Sequence, residues 1–261
     1  MGSWLLRTGA IFDRIVPSAR NGQRTFRLLL DTGASGISLS PKAAEQAGLD
    51  ILGAESDEAR GIGDDKALDL YRYLTSEARI GDVTFADFPV SVFRSAKSPN
   101  HDGLIGADVF RRFLIEIDFT RSQLRLEPYP DWQASESNEV EDANSRLPAG
   151  FVRALRFGNH LTVPTSVNQK GAYLFLIDSG SFSNIIDSAV AEDSTRVYNH
   201  GRTLVHGIQG RVKEVSRASR ITLAFAGFRQ DNPDLLTANM EKQNDAVGIG
   251  LAGILGMPVL R

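Results

Sequence analysis

The chain has 261 residues, of which 42% are hydrophobic and 23% charged, with a net charge of −3 and no cysteine. This is the composition of an ordinary globular protein, long enough for one large all-β unit or two domains. The slight acidic balance, without a long Lys/Arg cluster, excludes nucleic acid and anionic membrane surfaces as partners, and the lack of cysteine excludes disulfides, a thiol nucleophile and Cys-ligated metals. No apolar run is long enough to span a bilayer. Residues 1–20 hold Trp4-Leu5-Leu6 without a continuous apolar core, so no intact signal peptide is read there and the compartment stays open.

The first strong signal is Leu28-Leu29-Leu30-Asp31-Thr32-Gly33-Ala34-Ser35, a strand-type apolar run that ends on a carboxylate, a hydroxyl and a glycine. A buried Asp is costly unless it is paired or hydrogen-bonded. Ser40 as N-cap, Pro41 at the first position and Gly48 as the stop predict a short helix over residues 41–47. Gly61-Ile62-Gly63 marks a turn. Residues 83–92, 113–119 and 123–126 alternate apolar with polar or are β-branched and aromatic, as half-buried strands are. Gly103-Leu104-Ile105-Gly106 precedes Asp108, which reads as the cap of a second short helix over residues 108–113. Residues 129–150 carry Glu136, Glu139, Glu141 and Asp142 among Ser, Asn and Ala, the composition of a mobile acidic linker.

Beyond the linker the chain repeats itself, a pattern to be sought before any other. An offset of 147 residues (178 − 31) lays Val163-Pro164 on Val16-Pro17, Tyr173 on Phe26 and Phe175-Leu176-Ile177-Asp178-Ser179-Gly180-Ser181 on the first Asp motif. Gly207-Ile208-Gln209-Gly210 then answers Gly61-Ile62-Gly63, and Gly253-Ile254-Leu255-Gly256 answers Gly103-Leu104-Ile105-Gly106. Strands are predicted at 161–167, 212–215 and 221–225, a weaker helix at 188–193, and a helix start at Pro258. The expected organisation is an N-terminal lobe over 1–128, the linker over 129–150 and a C-terminal lobe over 151–261. After Gly256 the second unit stops without a counterpart of residues 111–128, so that lobe is expected to be truncated or to be completed by another segment.

Two carboxylates held about 3 Å apart cannot both ionise, and such a pair holds a base and an acid at once. Asp31 and Asp178, at matching strand ends, are the candidates for it. The histidines (His101, His160, His200 and His206) show no metal-ligand spacing, and no metal or cofactor is expected. Gly33 and Gly180 suit a turn where two backbones meet without room for side chains. Thr32 and Ser179 are placed to hydrogen-bond across such a meeting. Ser181, three residues after Asp178 where the first copy has Ala34, is expected to donate to Asp178 and make it the more readily ionised acid. Gly248-Ile249-Gly250-Leu251-Ala252-Gly253 matches a dinucleotide-binding pattern but lacks its βαβ context and its later acid, and is rejected.

With Asp31-Thr32-Gly33 and Asp178-Ser179-Gly180, each followed by an apolar-apolar-Gly element, the chain resembles the pepsin/retropepsin class of aspartic peptidases. Asp31-Thr32-Gly33-Ala34 and Gly61-Ile62-Gly63 resemble the retroviral branch more than pepsin, and the nearest likeness is to two-lobed bacterial retropepsin-like proteins. That resemblance implies an all-β bilobal fold with an interlobe cleft, catalytic roles for Asp31 and Asp178, a polypeptide substrate, an exported or periplasmic setting and, in the full-length protein, a downstream PDZ domain. It also implies flaps around Gly61, Ile62 and Gly63 and around Gly207 and Ile208, although Arg60 and His206 stand where pepsin-like flaps carry Tyr. An ordinary hairpin turn is an equal reading of both loops. With both acids on one chain, a monomer should suffice.

Three function classes remain open on sequence: an aspartic endopeptidase, a pseudoprotease that binds extended peptides without cutting them, and a structural β-module. Intact Asp and Gly in both copies favour the first. Cleavage preference and pH optimum are not legible.

Overall fold

The computed structural model describes residues 4–7, 11–19, 22–23, 25–49, 56–59, 68–80, 83–94, 101–121, 123–128, 151–199, 205–207, 210–212 and 215–260. The first unit contains β1 (Trp4–Arg7), β2 (Ile11–Ala19), β3 (Gly22–Gln23), β4 (Phe26–Asp31), β5 (Ile37–Leu39), β6 (Ser56–Ala59), β7 (Leu68–Ile80), β8 (Val83–Phe93), β9 (Gly103–Gly106), β10 (Phe113–Asp118) and β11 (Gln123–Pro128). Eight of them form one sheet in the order β3-β2-β4-β9-β5-β8-β7-β6, and β2 also pairs with β7, which brings the sheet back on itself. A smaller sheet has the order β1-β11-β10.

Strand β4 explains the continuous apolar run before Asp31. It lies inside the sheet, parallel to β9 with Leu28 opposite Gly103 and Asp31 opposite Gly106, and antiparallel to β2. A strand with neighbours on both edges and cover on both faces is apolar throughout, and Arg27 is the one exposed residue along it. Phe26, Leu28, Ile80, Ile105, Phe110 and Leu126 are at most 1% exposed and form the centre of this core. Each such burial contributes about 1.5–3 kcal/mol. Helix α1 (Pro41–Gln46) starts as its sequence dictates, with Ser40 Oγ accepting from the Ala43 amide at 3.2 Å. The helix expected over 108–113 is shorter and earlier, a 3₁₀ turn at Ala107–Phe110, because Phe113 already pairs with Pro128 at the start of β10.

The second unit contains β12 (Leu155–Phe157), β13 (His160–Val167), β14 (Lys170–Ile177), β15 (Ile185–Asp187), β16 (Val197–Asn199), β17 (Val205–Gly207), β18 (Gly210–Val212), β19 (Ser216–Phe225), β20 (Phe228–Ala238) and β21 (Leu251–Leu255). Its sheet runs β12-β13-β14-β21-β15-β20-β19-β16, with β13 also pairing β19, while β17 and β18 stand as a separate hairpin. The logic of the first unit returns: β14 is parallel to β21, β15 is parallel to β20, and β15 is antiparallel to β21, as β4 is to β9, β5 to β8 and β5 to β9. The chain is an internal duplication folded as two β lobes. Three short helices complete the second lobe, α2 (Ser188–Ser194), α3 (Glu241–Val247) and α4 (Met257–Leu260). Asp187 caps α2 through the Ala189 and Val190 amides. The strand expected over 212–215 is divided, since Val212 closes β18 and Val215 lies just before β19. The linker assigned to 129–150 lies outside the described residues.

Candidate active site

Each Asp motif sits where a central strand leaves its sheet. Asp31 is the last residue of β4, and Asp178 follows β14 with its amide donating to the Leu255 carbonyl at 3.0 Å. The Gly33 amide donates to Asp31 Oδ1 at 2.9 Å, and the Gly180 amide donates to Asp178 Oδ1 at 2.8 Å. The two turns therefore hold their carboxylates in the same way. They also face each other: the Asp31 and Asp178 side chains share a hydrogen bond. A Cβ on Gly33 would lie 2.8 Å from Asp178 Cγ, and one on Gly180 would strike Asp31 Cγ. Any larger residue at either glycine would fill the space of the opposite carboxyl group.

The hydroxyl residues lock the two turns together. Thr32 Oγ1 donates to the Ile177 carbonyl at 2.8 Å and accepts from the Ser179 amide at 3.0 Å. Reciprocally, Ser179 Oγ donates to the Leu30 carbonyl at 2.8 Å and accepts from the Thr32 amide at 3.1 Å. Both hydroxyls are buried, at 6% and 4% exposure, and four backbone groups depend on them, three in buried bonds and the Ile177 carbonyl in a partly buried one.

Burial raises the pKa of both acids. Asp31 is pushed up to about 8, first by desolvation and then by the charge and hydrogen bond of Asp178. Asp178 is also raised by burial, while the hydrogen bond from Asp31, the Gly180 and Ser181 amides and the charge of His160 oppose that rise. Both acids are thus pushed toward the protonated form by burial, as expected when two carboxyl groups meet in one site.

Ser181 needs a correction. Its hydroxyl donates to the Ser183 carbonyl at 2.8 Å, a nearer acceptor within the same turn, so only its backbone amide serves Asp178. Asp108 needs another. Gly106 occupies the cap position of the 3₁₀ turn, and Asp108 instead accepts from the Gly36 amide at 2.8 Å and from Asn159 Nδ2 at 3.1 Å. Asn159 also donates to Ser35 Oγ at 3.2 Å, so the β12–β13 turn of the second lobe is fastened to the first. Sequence reading missed Asn159 and His160. Their only signal was Gly158-Asn159 as a hairpin turn between two strand-like stretches.

Gly61, Ile62 and Gly63 lie outside the described residues, between β6 and β7, where Ala59 pairs with Leu68. Gly207 ends β17 opposite Gly210, and Ile208 between them is outside the described residues. Among the described residues, no three His, Asp or Glu side chains gather as metal ligands, and no helix is long and apolar enough to cross a membrane.

A family model described as aspartyl protease matches the chain twice, over residues 16–109 and 163–259, which together make up well over half of it. The chain belongs to the aspartyl protease family, with one copy of the family unit in each lobe. Among solved structures it is similar to a retropepsin-like aspartic protease from Rickettsia conorii, at 20% identity and a TM-score of 0.36, over 48% of this chain and 88% of that one. No curated protein matches it.

Proposed function

We propose that this protein is an aspartic endopeptidase in which Asp31 and Asp178 act as one catalytic pair. The observation that carries the reading is the shared hydrogen bond between two raised carboxyl groups, each backed by a glycine of the opposite lobe. In the singly protonated pair, Asp178 is the base that takes a proton from a water bound between the acids. Asp31 keeps its proton and hydrogen-bonds the scissile carbonyl oxygen, favouring the tetrahedral adduct. That proton then passes to the leaving amine, which returns the pair to its starting charge. Thr32, Ser179 and the two glycines hold the acids at this spacing. One chain supplies both acids, so a monomer is sufficient, and sedimentation of the active species at twice the monomer mass would overturn that part.

The deciding experiment is hydrolysis of an unfolded protein from acid to neutral pH by wild type, Asp31→Asn and Asp178→Asn. Each substitution is expected to remove nearly all turnover while the fold persists, because the two acids work as a unit. Peptide binding by wild type without cleavage would replace this reading with a peptide-binding pseudoprotease. Cleavage retained in either variant would refute the paired mechanism.

A further inference from the structure

The two Asp turns are built alike around their acids, but their outer ends are secured in different ways. The Asp178 turn is held within its own lobe. Its Ser181 carbonyl accepts from the Met257 amide at 2.9 Å, and the Ser181 hydroxyl donates to the Ser183 carbonyl at 2.8 Å. Asn184, 4% exposed, accepts from the Gly256 amide at 2.9 Å and donates to Gln230 Oε1 at 2.8 Å. All of these groups belong to the C-terminal lobe.

The Asp31 turn is held in part by the other lobe. Within the first lobe, the Gly36 carbonyl accepts from the Gly106 amide at 2.8 Å, and Asp108 Oδ1 accepts from the Gly36 amide at 2.8 Å. Asp108 is itself held from outside. Asn159 Nδ2 donates to Asp108 Oδ2 at 3.1 Å and to Ser35 Oγ at 3.2 Å. The β12–β13 hairpin fixes Asn159 at its tip: Phe157 pairs with His160, and Arg156 Nε donates to the Gly158 carbonyl at 3.0 Å. Gly158 takes the left-handed φ, +56°, that such a two-residue turn needs at its first position. One carboxyl group thus carries an amide of the Asp31 turn on one oxygen and the opposite lobe on the other. A carboxylate accepts such bonds more strongly than a neutral oxygen does. The fastening is one-sided. At the positions that repeat Ser35 and Asp108, the second lobe has Phe182 and Pro258, whose side chains accept no hydrogen bond, and Phe182 is 77% exposed.

We propose that Asn159 is a positioning residue for Asp31: acting through Asp108 across the lobe boundary, it sets the Asp31 turn, so that the second lobe completes the acid site of the first. The Asp178 turn is finished within its own lobe, whereas the Asp31 turn takes its working geometry only when the lobes are apposed. The inference rests on the paired-acid reading, which gives the placement of Asp31 its consequence for turnover.

The experiment combines kinetics and amide NMR on variants of the full chain. Asn159→Ala removes the donor to Asp108 and Ser35, and Asn159→Asp sets a second carboxylate against Asp108. Each should lower kcat by on the order of 10-fold or more with KM changed far less, because a displaced acid is felt in the transition state rather than in substrate binding. Adding Asp108→Asn to Asn159→Asp should bring back most of the lost kcat, since the new amide can donate across the lobes while its oxygen still accepts from Gly36. In ¹⁵N NMR, Asn159→Ala should move the amide signals of Gly36 and of Gly33, which donates to Asp31 Oδ1, and leave that of Gly256, bonded to Asn184, in place. A lower urea midpoint with kcat intact would make the contact merely structural and overturn the inference. So would an Asn159→Asp loss that Asp108→Asn does not recover, or unmoved Gly36 and Gly33 signals in folded Asn159→Ala protein. If the wild-type chain cleaves nothing, the endopeptidase reading fails, and the NMR arm still decides whether Asn159 sets the Asp31 turn.

Discussion

Gly180 lies against the carboxyl group of Asp31, and its missing Cβ is what lets the two acids meet. Gly180→Ala must therefore displace Asp31 or part the turns, and misplacement on this scale costs on the order of 10²-fold in rate. We expect kcat/KM to fall by at least that factor while the circular dichroism spectrum is retained, and an active Gly180→Ala enzyme would mean the acids do not meet during turnover. Asp31 also sets an upper limit of pH. Its proton, held up to about pH 8, must stay in place for it to serve as the acid, so kcat/KM should decline on the alkaline side near that value. Much of this site was legible in the sequence. A carboxylate, a hydroxyl and a glycine closing an apolar run is a local pattern, and finding it twice named Asp31, Asp178 and their neighbours. Ser181 was misread because spacing does not reveal that Ser183 offers its hydroxyl a closer acceptor. Asn159 and His160 had no signal beyond that of an ordinary hairpin turn. They stand 19 and 18 residues before Asp178, in a turn whose importance lies in the surface it touches on the other lobe.

At the scale of elements, the ends of β4 and β14 are joined by side chains rather than by strand pairing. Thr32→Val would keep the shape of residue 32 and take a partner from the buried Ser179 amide and from the partly buried Ile177 carbonyl. Each orphaned group costs about 1–3 kcal/mol, so the urea midpoint should drop clearly. Ser179→Ala should cost a similar amount. The double variant should lose less than the two single losses combined, since the residues serve one another. Strict additivity in that cycle would mean that the two hydroxyls act independently. The strand order of both sheets could not be read from residue patterns, because it depends on which distant run lies beside β4 and β14. Repetition alone carried that expectation. Helix α3 escaped notice for a plainer reason: Glu241-Lys242-Gln243-Asn244-Asp245 offers no apolar periodicity, and the helix is fixed instead by Asn244, whose side chain bonds both the amide and the carbonyl of Leu251.

For the molecule as a whole, a buried acid pair links stability to pH. The native state keeps the Asp31 proton up to about 8, whereas an unfolded Asp releases it near the ordinary carboxylate value of 3.8. Between those values the folded protein binds the extra proton, so stability falls as pH rises, by at most about 1.4 kcal/mol per unit. Urea unfolding of wild type at pH 5 and pH 8 should show that fall, and Asp31→Asn should flatten it; equal slopes would place the linkage elsewhere. The parallel pairing of the central strands has a further consequence for a chain made from its N-terminus onward. Strand β4 can take its place beside β9 once residue 106 has emerged, but β14 must wait for β21, which ends at Leu255. Pairings this distant in sequence form late. Until β21 arrives, β14 has only β13 beside it and the Asp178 amide lacks the Leu255 carbonyl that holds it, so the acid pair cannot be completed before residue 255 has been made. Ribosome-bound chains stalled just short of β21 should have no proteolytic activity, and those released past Leu255 should gain it. By that order of events the nascent protein, whose own unfolded segments are the nearest available substrate, is spared from itself.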